Sequence, residues 1–286
     1  MPSIKTQLVE RVGHFIRKHH MNPFLTLSAR VCNRYLSYYW NQMYWDMEKN
    51  GELLFLKTLA NEKNVTIFDV GANVGSYTEI SRSTIPDSTI HSFEIVPYTY
   101  EKLEQNLADM ERVITNNFGL SNEKKMINMN YNPENSSEAR EVSSLYQLKD
   151  VVSCETRTGD SYVAENNIEK IDLLKIDTEG HEISVLEGFQ QTFQDKKVRM
   201  IQFEYGTTWI APSRFLHEAY AILEPAGFVI GRLYPNGIFF KPYDRLEDEH
   251  FRMGNYIAVQ KSSLSLVESL NLNPKTRISK LRPKRK

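Results

Sequence analysis

Residues 67–75 read Ile67-Phe68-Asp69-Val70-Gly71-Ala72-Asn73-Val74-Gly75. The segment predicts an apolar strand that ends at Asp69 and runs into a glycine-containing turn, followed by a helix from Ser76 and Tyr77. Backbone N–H groups and a carboxylate then lie at the carboxyl end of a strand, where open α/β sheets bind their ligands. Because Gly71 and Gly75 carry no Cβ, the backbone of this turn can approach a ligand closely.

The spacing of this motif is D-x-G-x-x-x-G rather than G-x-G-x-x-G, so the pyrophosphate fingerprint of NAD enzymes is absent. The motif favours a small zwitterionic nucleoside such as S-adenosylmethionine (SAM) over a diphosphate. A second predicted strand ends at Glu94. A carboxylate at that position accepts hydrogen bonds from both ribose hydroxyls of a nucleoside and repels a 2′-phosphate. The alternative interpretation of Glu94 is a solvated strand end.

From Val65 onward, predicted strands alternate with helices, which indicates an α/β fold with a mostly parallel sheet covered on both faces. We expect a Rossmann-like sheet of seven strands with an antiparallel last strand, and a hairpin near residues 235–237. Residues 1–60 predict an N-terminal helical extension, residues 61–262 the main domain, and residues 263–286 a disordered basic tail. Residues 121–150 are polar and interrupt the alternation, so we expect a flexible loop or short hairpin that helps cover an acceptor substrate.

The formal net charge of −1 is unevenly distributed. Residues 275–286 contain seven basic residues and no acidic ones, which leaves the rest of the chain at −8. Such a tail can contact nucleic acid or an anionic membrane, or be a solvated end. We predict no membrane span, because no apolar run approaches the ~20 residues that a span needs. The N-terminus also lacks the apolar stretch of a signal peptide, so we expect a cytoplasmic protein. Cys32 and Cys154 form no spacing motif and indicate free thiols in a reducing compartment.

Acidic residues also follow the fourth and fifth predicted strands. Asp177 ends the fourth strand, His181 lies in the first turn of the next helix, and Glu204 ends the fifth strand. Together these side chains can orient a hydroxyl group and remove its proton. Asp177 could instead only cap the helix, and His181 could be solvated. Lys175 lies on a central strand, where a buried lysine needs a partner, and we expect an ion pair with Asp177 or Glu204.

Asp177, Glu204 and His181 also offer the oxygen and imidazole ligands that a divalent cation accepts. No tight ligand spacing requires a cation here. The sequence therefore leaves a divalent metal open and assigns no metal ligand.

These motifs resemble the FkbM family of SAM-dependent methyltransferases, over about residues 65–260. The resemblance lies in four blocks: Asp69–Gly75, Phe93-Glu94, Thr158-Gly159-Asp160 and Ile171–Glu182. It implies a class I methyltransferase fold and methyl transfer to a hydroxyl, often on a sugar of a glycan or natural product. Two positions depart from the family pattern. Gly159 stands where the family commonly has Leu, and the fifth strand ends in Glu204-Tyr205-Gly206, which leaves the acceptor site open.

The resemblance also implies which residues contact SAM. The turn after the first strand would hold the methionine part and Glu94 the ribose. Ile95 and Val96 would flank the adenine, with the segment after the third strand at its edge and face. The residues expected at the cofactor are Asp69, Gly71, Ala72, Asn73, Gly75, Ser76, Tyr77, Glu94, Ile95, Val96, Asn117, Phe118, Gly119 and Asp177.

Three interpretations of function stay open. The first is an O-methyltransferase for a small molecule or glycan. The second is an RNA ribose 2′-O-methyltransferase, suggested by the basic tail and the basic residues 17–20. Glu204 counts against it, because such enzymes commonly carry Lys there in a Lys-Asp-Lys-Glu tetrad. The third is a module that binds SAM without turnover, although the acids around Asp177 count against that. The aromatic segment 35–45 could line an acceptor pocket, form a homodimer face or simply pack.

Overall fold

The chain divides into two units, Met1–Met43 and Tyr44–Lys286. This computed structural model describes residues 3–42, 46–131, 139–141 and 150–273. The expected boundary at residue 60 falls inside the second unit, because Phe55, Leu56 and Leu59 are buried in its core. The tail predicted as disordered from residue 263 is wrong over residues 263–273, because short 3₁₀ turns cover Lys261–Leu266 and Glu268–Leu270 and Val267 is fully buried in the core of the second unit. The basic residues from Lys275 lie outside the described residues, as do Tyr44 and Trp45 of the aromatic segment.

The first unit consists of two helices, α1 (Ile4–Lys18) and α2 (Pro23–Tyr39). The hydroxyl of Ser3 accepts a hydrogen bond from the Thr6 N–H and caps α1. Asn22 Oδ1 accepts from the N–H of Phe24 at 2.9 Å and so begins α2. The helical character predicted for this segment is confirmed.

The second unit begins with short helices and then alternates strand and helix, as predicted. Its elements as far as the third strand are α3 (Met47–Asn50), α4 (Glu52–Leu56), β1 (Val65–Val70), α5 (Ser76–Thr84), β2 (Ser88–Phe93), α6 (Pro97–Leu107) and β3 (Val113–Asn116). The middle of the chain forms β4 (Gly119–Ser121), β5 (Lys125–Tyr131), β6 (Arg140–Glu141), β7 (Asp150–Thr158) and α7 (Gly159–Glu165). The rest forms β8 (Ile171–Ile176), α8 (Glu182–Glu187), α9 (Gln190–Gln194), β9 (Val198–Tyr205), α10 (Leu216–Leu223), β10 (Phe228–Tyr234), β11 (Gly237–Phe240), α11 (Arg245–Asp248) and β12 (Gly254–Gln260).

The main sheet has the order β11-β10-β12-β9-β8-β1-β2-β3. β3, β2, β1, β8 and β9 pair in parallel, and β12 lies antiparallel between β9 and β10. The predicted α/β fold and the antiparallel pairing of the two late strands are confirmed. The sheet has eight strands rather than the predicted seven, because the chain turns back after Tyr234 and adds β11 at the edge. Among the described residues, no helix is long and apolar enough to cross a membrane.

A second sheet has the order β4-β7-β5-β6. β5 and β6 lie within residues 121–150, the segment predicted as a loop or short hairpin, whereas β4 ends at its first residue and β7 begins at its last. β5 and β7 form an antiparallel hairpin, and β4 pairs in parallel with β7. Residues 132–138 and 142–149 of this segment lie outside the described part. Within residues 121–150, β5 and β6 pair antiparallel, and the long strand β7 that follows was not predicted.

The register of the strands places the polar residues of β1, β8 and β9 next to one another. Asp69 on β1 pairs with Lys175 on β8, and Lys175 pairs with Gln202 on β9. β8 is buried along its whole length, which is the expected property of a central parallel strand. Because parallel strands all end at one edge, the segments after β1, β2, β8 and β9 lie side by side.

Candidate active site

The turn after β1 lies directly against the segment after β8. Gly71 has φ of +82°, and a Cβ there would collide with the carbonyl oxygen of Asp177. The Asp177 N–H donates to the Val70 carbonyl at 2.9 Å. An L-residue would be strained at this φ as well as blocked by backbone atoms. The sequence therefore places glycine where the cofactor turn and the Asp177 segment meet.

Glu94 is held rigidly at the end of β2. Its Oε2 accepts from the Asn73 N–H at 3.0 Å and its Oε1 from the Val96 N–H at 2.9 Å. A carboxylate has about four acceptor positions, so two backbone bonds leave capacity for a pair of hydroxyl groups. Burial raises the pKa of Glu94 to about 7, and this effect outweighs the two N–H hydrogen bonds, which act to lower the pKa. The geometry fits the expected ribose contact.

Buried polar atoms beside this turn lack partners within the described part of the chain. They are Asn73 Oδ1 and Thr178 Oγ1. Buried polar atoms are normally hydrogen-bonded, so atoms of this kind are suited to a polar ligand. Their place between the β1 turn and the β8 segment fits the methionine end of SAM.

The crevice is the space at the carboxyl ends of β1, β8 and β9, and Lys175 is the cation at its centre. Its Nζ lies 3.2 Å from Asp69 Oδ1 and 3.4 Å from Asp177 Oδ2. Burial acts to lower the pKa of Lys175, but the carboxylates of Asp69, Asp177 and Glu52 outweigh it and raise the pKa. The expected pairing with Asp177 is confirmed, and Asp69 is a second partner that the sequence analysis did not name.

Asp69 is fully buried, and its second oxygen accepts the Thr78 hydroxyl at 2.7 Å. Its carboxylate therefore faces Lys175 and Thr78. Of the two residues expected to follow the turn, Ser76 is exposed at the start of α5, whereas Tyr77 is buried. The Tyr77 ring lies under Lys175 Nζ at 4.9 Å, a cation–π contact. These residues hold the floor of the crevice in place.

Asp177 and Glu204 follow residues that pair across neighbouring strands, Ile176 and Phe203. The Asp177 side chain is 42% exposed, so it can reach a substrate in the crevice. Burial raises the pKa of Glu204 well above its usual range, and the negative charge of Asp177 and three other carboxylates adds to the effect. A carboxylate that binds a proton this readily is suited to accept one from a hydroxyl group.

Glu182 shapes the loop between Asp177 and α8. Its buried carboxylate accepts from the Thr178 N–H at 2.9 Å and from the Gly180 N–H at 3.1 and 3.2 Å. Gly180 has φ of +110°, and a Cβ there would meet the Thr208 carbonyl oxygen at 2.5 Å. The Thr-Glu-Gly-His-Glu motif thus builds a tight loop that presents Asp177.

His181, in the segment between β8 and α8, contacts two strands of the second sheet rather than facing the crevice alone. Its Nε2 lies 2.9 Å from Ser121 Oγ on β4, and its Nδ1 lies 3.4 Å from Glu141 Oε2 on β6. Both ring nitrogens therefore contact protein groups. The interpretation of His181 as simply solvated is wrong, because its side chain is only 21% exposed.

The expected adenine residues surround the end of β2. Asn117 Nδ2 donates to the Glu94 carbonyl at 3.0 Å. The Phe118 ring packs 5.7 Å from the Phe93 ring, inside the core. A Cβ on Gly119 would meet Ile95 Cδ1 at 2.6 Å, and Val96 is fully buried.

Glu52 on α4 is a crevice residue that sequence reasoning missed. It accepts a 2.6 Å hydrogen bond from Gln202 Nε2, and Gln202 Oε1 accepts from the Tyr77 hydroxyl at 3.3 Å. Burial raises the pKa of Glu52, and the nearby Lys175 charge opposes that shift. Glu52 lies 17 residues before Asp69 in a segment without any motif, so no sequence signal identified it.

No cluster of three or more His, Cys, Asp or Glu side chains that could hold a metal ion occurs in residues 3–42, 46–131, 139–141 and 150–273. Both ring nitrogens of His181 contact other groups, Ser121 Oγ and Glu141 Oε2.

The fold and the crevice together define a class I SAM-dependent methyltransferase. Its parallel strands end in a glycine-containing turn, the buried carboxylate of Glu94 and a crevice with several acidic residues. The chain belongs to the family defined by the methyltransferase FkbM domain, whose family model matches residues 69–230. The predicted family is thereby confirmed.

Several characterised proteins are similar to this chain. Hexuronic acid methyltransferase AglP of Haloferax volcanii is 24% identical over 194 residues, covering 65% of this chain and 78% of that relative. The 2-O-methyltransferase NoeI of Sinorhizobium fredii is 25% identical over 197 residues, covering 63% and 79%. A solved TehB-like SAM-dependent methyltransferase of Corynebacterium glutamicum has a TM-score of 0.40 and 11% identity, covering 84% of this chain and 100% of that one.

Proposed function

We propose that this enzyme transfers the methyl group of SAM to a hydroxyl of a sugar, in a glycan or a glycosylated natural product. The names of the relatives AglP and NoeI support a sugar acceptor. The observation that carries the proposal is the pair Asp177 and Glu204 at adjacent strand ends, one exposed to the crevice and the other with a raised pKa.

In this proposal the cofactor residues act as the motifs predict. Glu94 accepts both ribose hydroxyls while the Asn73 and Val96 N–H groups hold its carboxylate. Ile95, Asn117 and Gly119 line the adenine pocket, and the buried side chains of Val96 and Phe118 support it from the core. The turn from Asp69 to Gly75, with the unpaired Asn73 and Thr178 oxygens, holds the methionine end.

When bound, SAM supplies an electrophilic methyl carbon on a positively charged sulfur. Asp177 accepts a hydrogen bond from the acceptor hydroxyl and aligns its oxygen for in-line attack. Alignment of this kind supplies ~7–11 kcal/mol of barrier reduction. As the new C–O bond forms and the C–S bond breaks, the hydroxyl proton passes to the carboxylate of Glu204. Lys175 keeps Asp69 and Asp177 in place, and His181 positions the second sheet beside the crevice.

Glu52 belongs to the acceptor side in this proposal. It precedes the family match, and Gln202 holds it beside Lys175 through a 2.6 Å hydrogen bond. A carboxylate with a raised pKa at this place can bind a second hydroxyl of a polyhydroxylated acceptor.

Calorimetric titration with SAM, on wild type and Glu94→Ala, tests the cofactor site. Glu101→Ala removes an exposed carboxylate of α6 and is the matched control. We expect micromolar binding that is lost in Glu94→Ala and kept in Glu101→Ala. Equal binding by all three proteins would refute the ribose contact.

A methyl-transfer screen over sugars and glycosides, with RNA as the comparison acceptor, then tests the substrate class. Methylation of a sugar hydroxyl that Glu204→Gln abolishes would support the proposal. Methylation of RNA in place of the sugars would refute the acceptor class, and SAM binding without any turnover would favour a binding module.

A further inference from the structure

Both helices of the first unit carry an exposed apolar face. In α1, Leu8, Val9, Val12, Phe15 and Ile16 are between 45% and 64% exposed. At 100° per residue these positions share one side of the helix. The side chains of α1 and α2 are all exposed or half-buried where described. The helix pair α1–α2 therefore presents apolar surface that this unit does not cover.

The apolar stripe of α2 is rich in aromatic residues. Its members recur at spacings of three and four residues and are between 59% and 73% exposed: Phe24, Leu27, Val31, Tyr35 and Tyr38. Tyrosine and tryptophan prefer the boundary between water and lipid, where the ring is buried and the polar atom stays hydrated. A stripe this wide on a single surface helix is typical of an interaction face.

The same helices are strongly basic. Residues 3–42 contain one acidic residue, Glu10, and six basic residues: Lys5, Arg11, Lys18, Arg17, Arg30 and Arg34. Arg30 and Arg34 lie one turn apart beside the apolar stripe of α2. This combination of positive charge and apolar surface favours an anionic lipid surface over a second copy of the chain as the partner. A second copy would bring two units of about +5 together, whereas an anionic lipid surface attracts the charge and covers the apolar face.

We infer that the helix pair α1–α2 docks the enzyme on an anionic lipid surface. Each helix lies in the plane of the interface with its apolar face toward the acyl chains, and its arginine and lysine side chains reach the phosphate headgroups. The catalytic unit thereby acts close to a membrane. This inference is independent of the acceptor proposed above.

Co-flotation of the full chain with vesicles tests the inference, comparing phosphatidylcholine alone with 30% phosphatidylserine. Leu27→Asp/Val31→Asp removes apolar surface, and Arg30→Glu/Arg34→Glu reverses charge. The matched controls are Leu246→Asp and Lys57→Glu/Lys63→Glu, at exposed positions of the second unit. SAM affinity, measured on every variant, shows that the catalytic unit is folded.

We expect binding to the anionic vesicles alone. Each basic residue at such a surface contributes about fivefold, so the double charge reversal lowers partitioning at least about 25-fold. The apolar variant lowers it at least about tenfold, and both controls bind as wild type does.

Four results would overturn the inference. The first is that wild type does not bind the vesicles. The second is that only the charge variant loses binding and that RNA binds the wild type equally well. The third is that deletion of residues 275–286 abolishes vesicle binding while both helix variants keep it. The fourth is a dimer, seen by light scattering, that the apolar variant dissociates, which would assign the face to a second copy.

Discussion

Replacing Lys175 with Met removes the positive charge from the centre of the crevice while keeping a long apolar side chain. Lys175 is 6% exposed, and it lies 3.2 Å from the fully buried Asp69. At an effective dielectric constant of ~20, one such contact is worth about 5 kcal/mol before desolvation is counted. Removing one partner of a buried pair costs about 3–5 kcal/mol, because the other charge is left uncompensated. We expect Lys175→Met to lower the free energy of unfolding by that amount, which is roughly 10 °C in Tm.

Two variants show whether the uncompensated charge is the cause. Lys175→Met/Asp69→Asn removes both charges of the closest buried pair and should recover part of the lost stability. Lys170→Met is the matched control, since Lys170 also pairs with a fully buried carboxylate, Asp172, at 3.1 Å. Asp172 still has Arg199 as an ion-pair partner at 2.6 Å in this control, so its free energy of unfolding should fall by less than about 1 kcal/mol.

Urea unfolding followed by tryptophan fluorescence measures all four proteins. A loss in Lys175→Met no larger than that in Lys170→Met would refute the reasoning. A double variant no more stable than Lys175→Met would do the same, because the buried Asp69 charge would then not be the source of the loss.

Further predictions concern the cofactor, the chemistry and the tail. Because the pKa of Glu94 is about 7 and its ionised form is the better acceptor, SAM affinity should rise as the pH goes from 6 to 8; calorimetry should show that Glu94→Gln removes this dependence. Glu204→Gln should lower kcat by about 10²–10⁴-fold with little change in SAM affinity, and an unchanged kcat would exclude it as the base. Gly71→Ala should abolish SAM binding, since its Cβ meets the Asp177 carbonyl, and retained micromolar affinity would contradict this. Deleting residues 275–286 should leave turnover on a soluble acceptor unchanged, and a large loss would give the tail a catalytic role.

The parallel core of the fold could be predicted because its strands are apolar and end at polar residues. The strands predicted to end at Asp69, Glu94 and Asp177 are β1, β2 and β8, which end within one residue of those positions, at Val70, Phe93 and Ile176. β7 escaped prediction because its alternating polar residues resemble a loop until β5 pairs with it. β11 is four residues long and follows a tight turn, so the sequence carries little signal for it.

The positions of candidate site residues in the fold could be predicted where a sequence motif reflects local backbone geometry. Gly71 and Glu94 stand where the spacing placed them, since a turn and a strand end are local features. Glu52 and the contacts of His181 were not predictable, because they depend on how α4 and the second sheet come to lie beside the crevice. Contacts between segments distant in the chain leave no periodic pattern.

The crowding of carboxylates at the crevice has a consequence for turnover. SAM carries a positive sulfonium, and the demethylated product has an uncharged thioether in its place. In the proposed site the exposed carboxylate of Asp177 faces the crevice, so it attracts the sulfonium of SAM more strongly than the uncharged thioether of the product. We therefore expect the crevice to bind the methyl donor more tightly than the demethylated product.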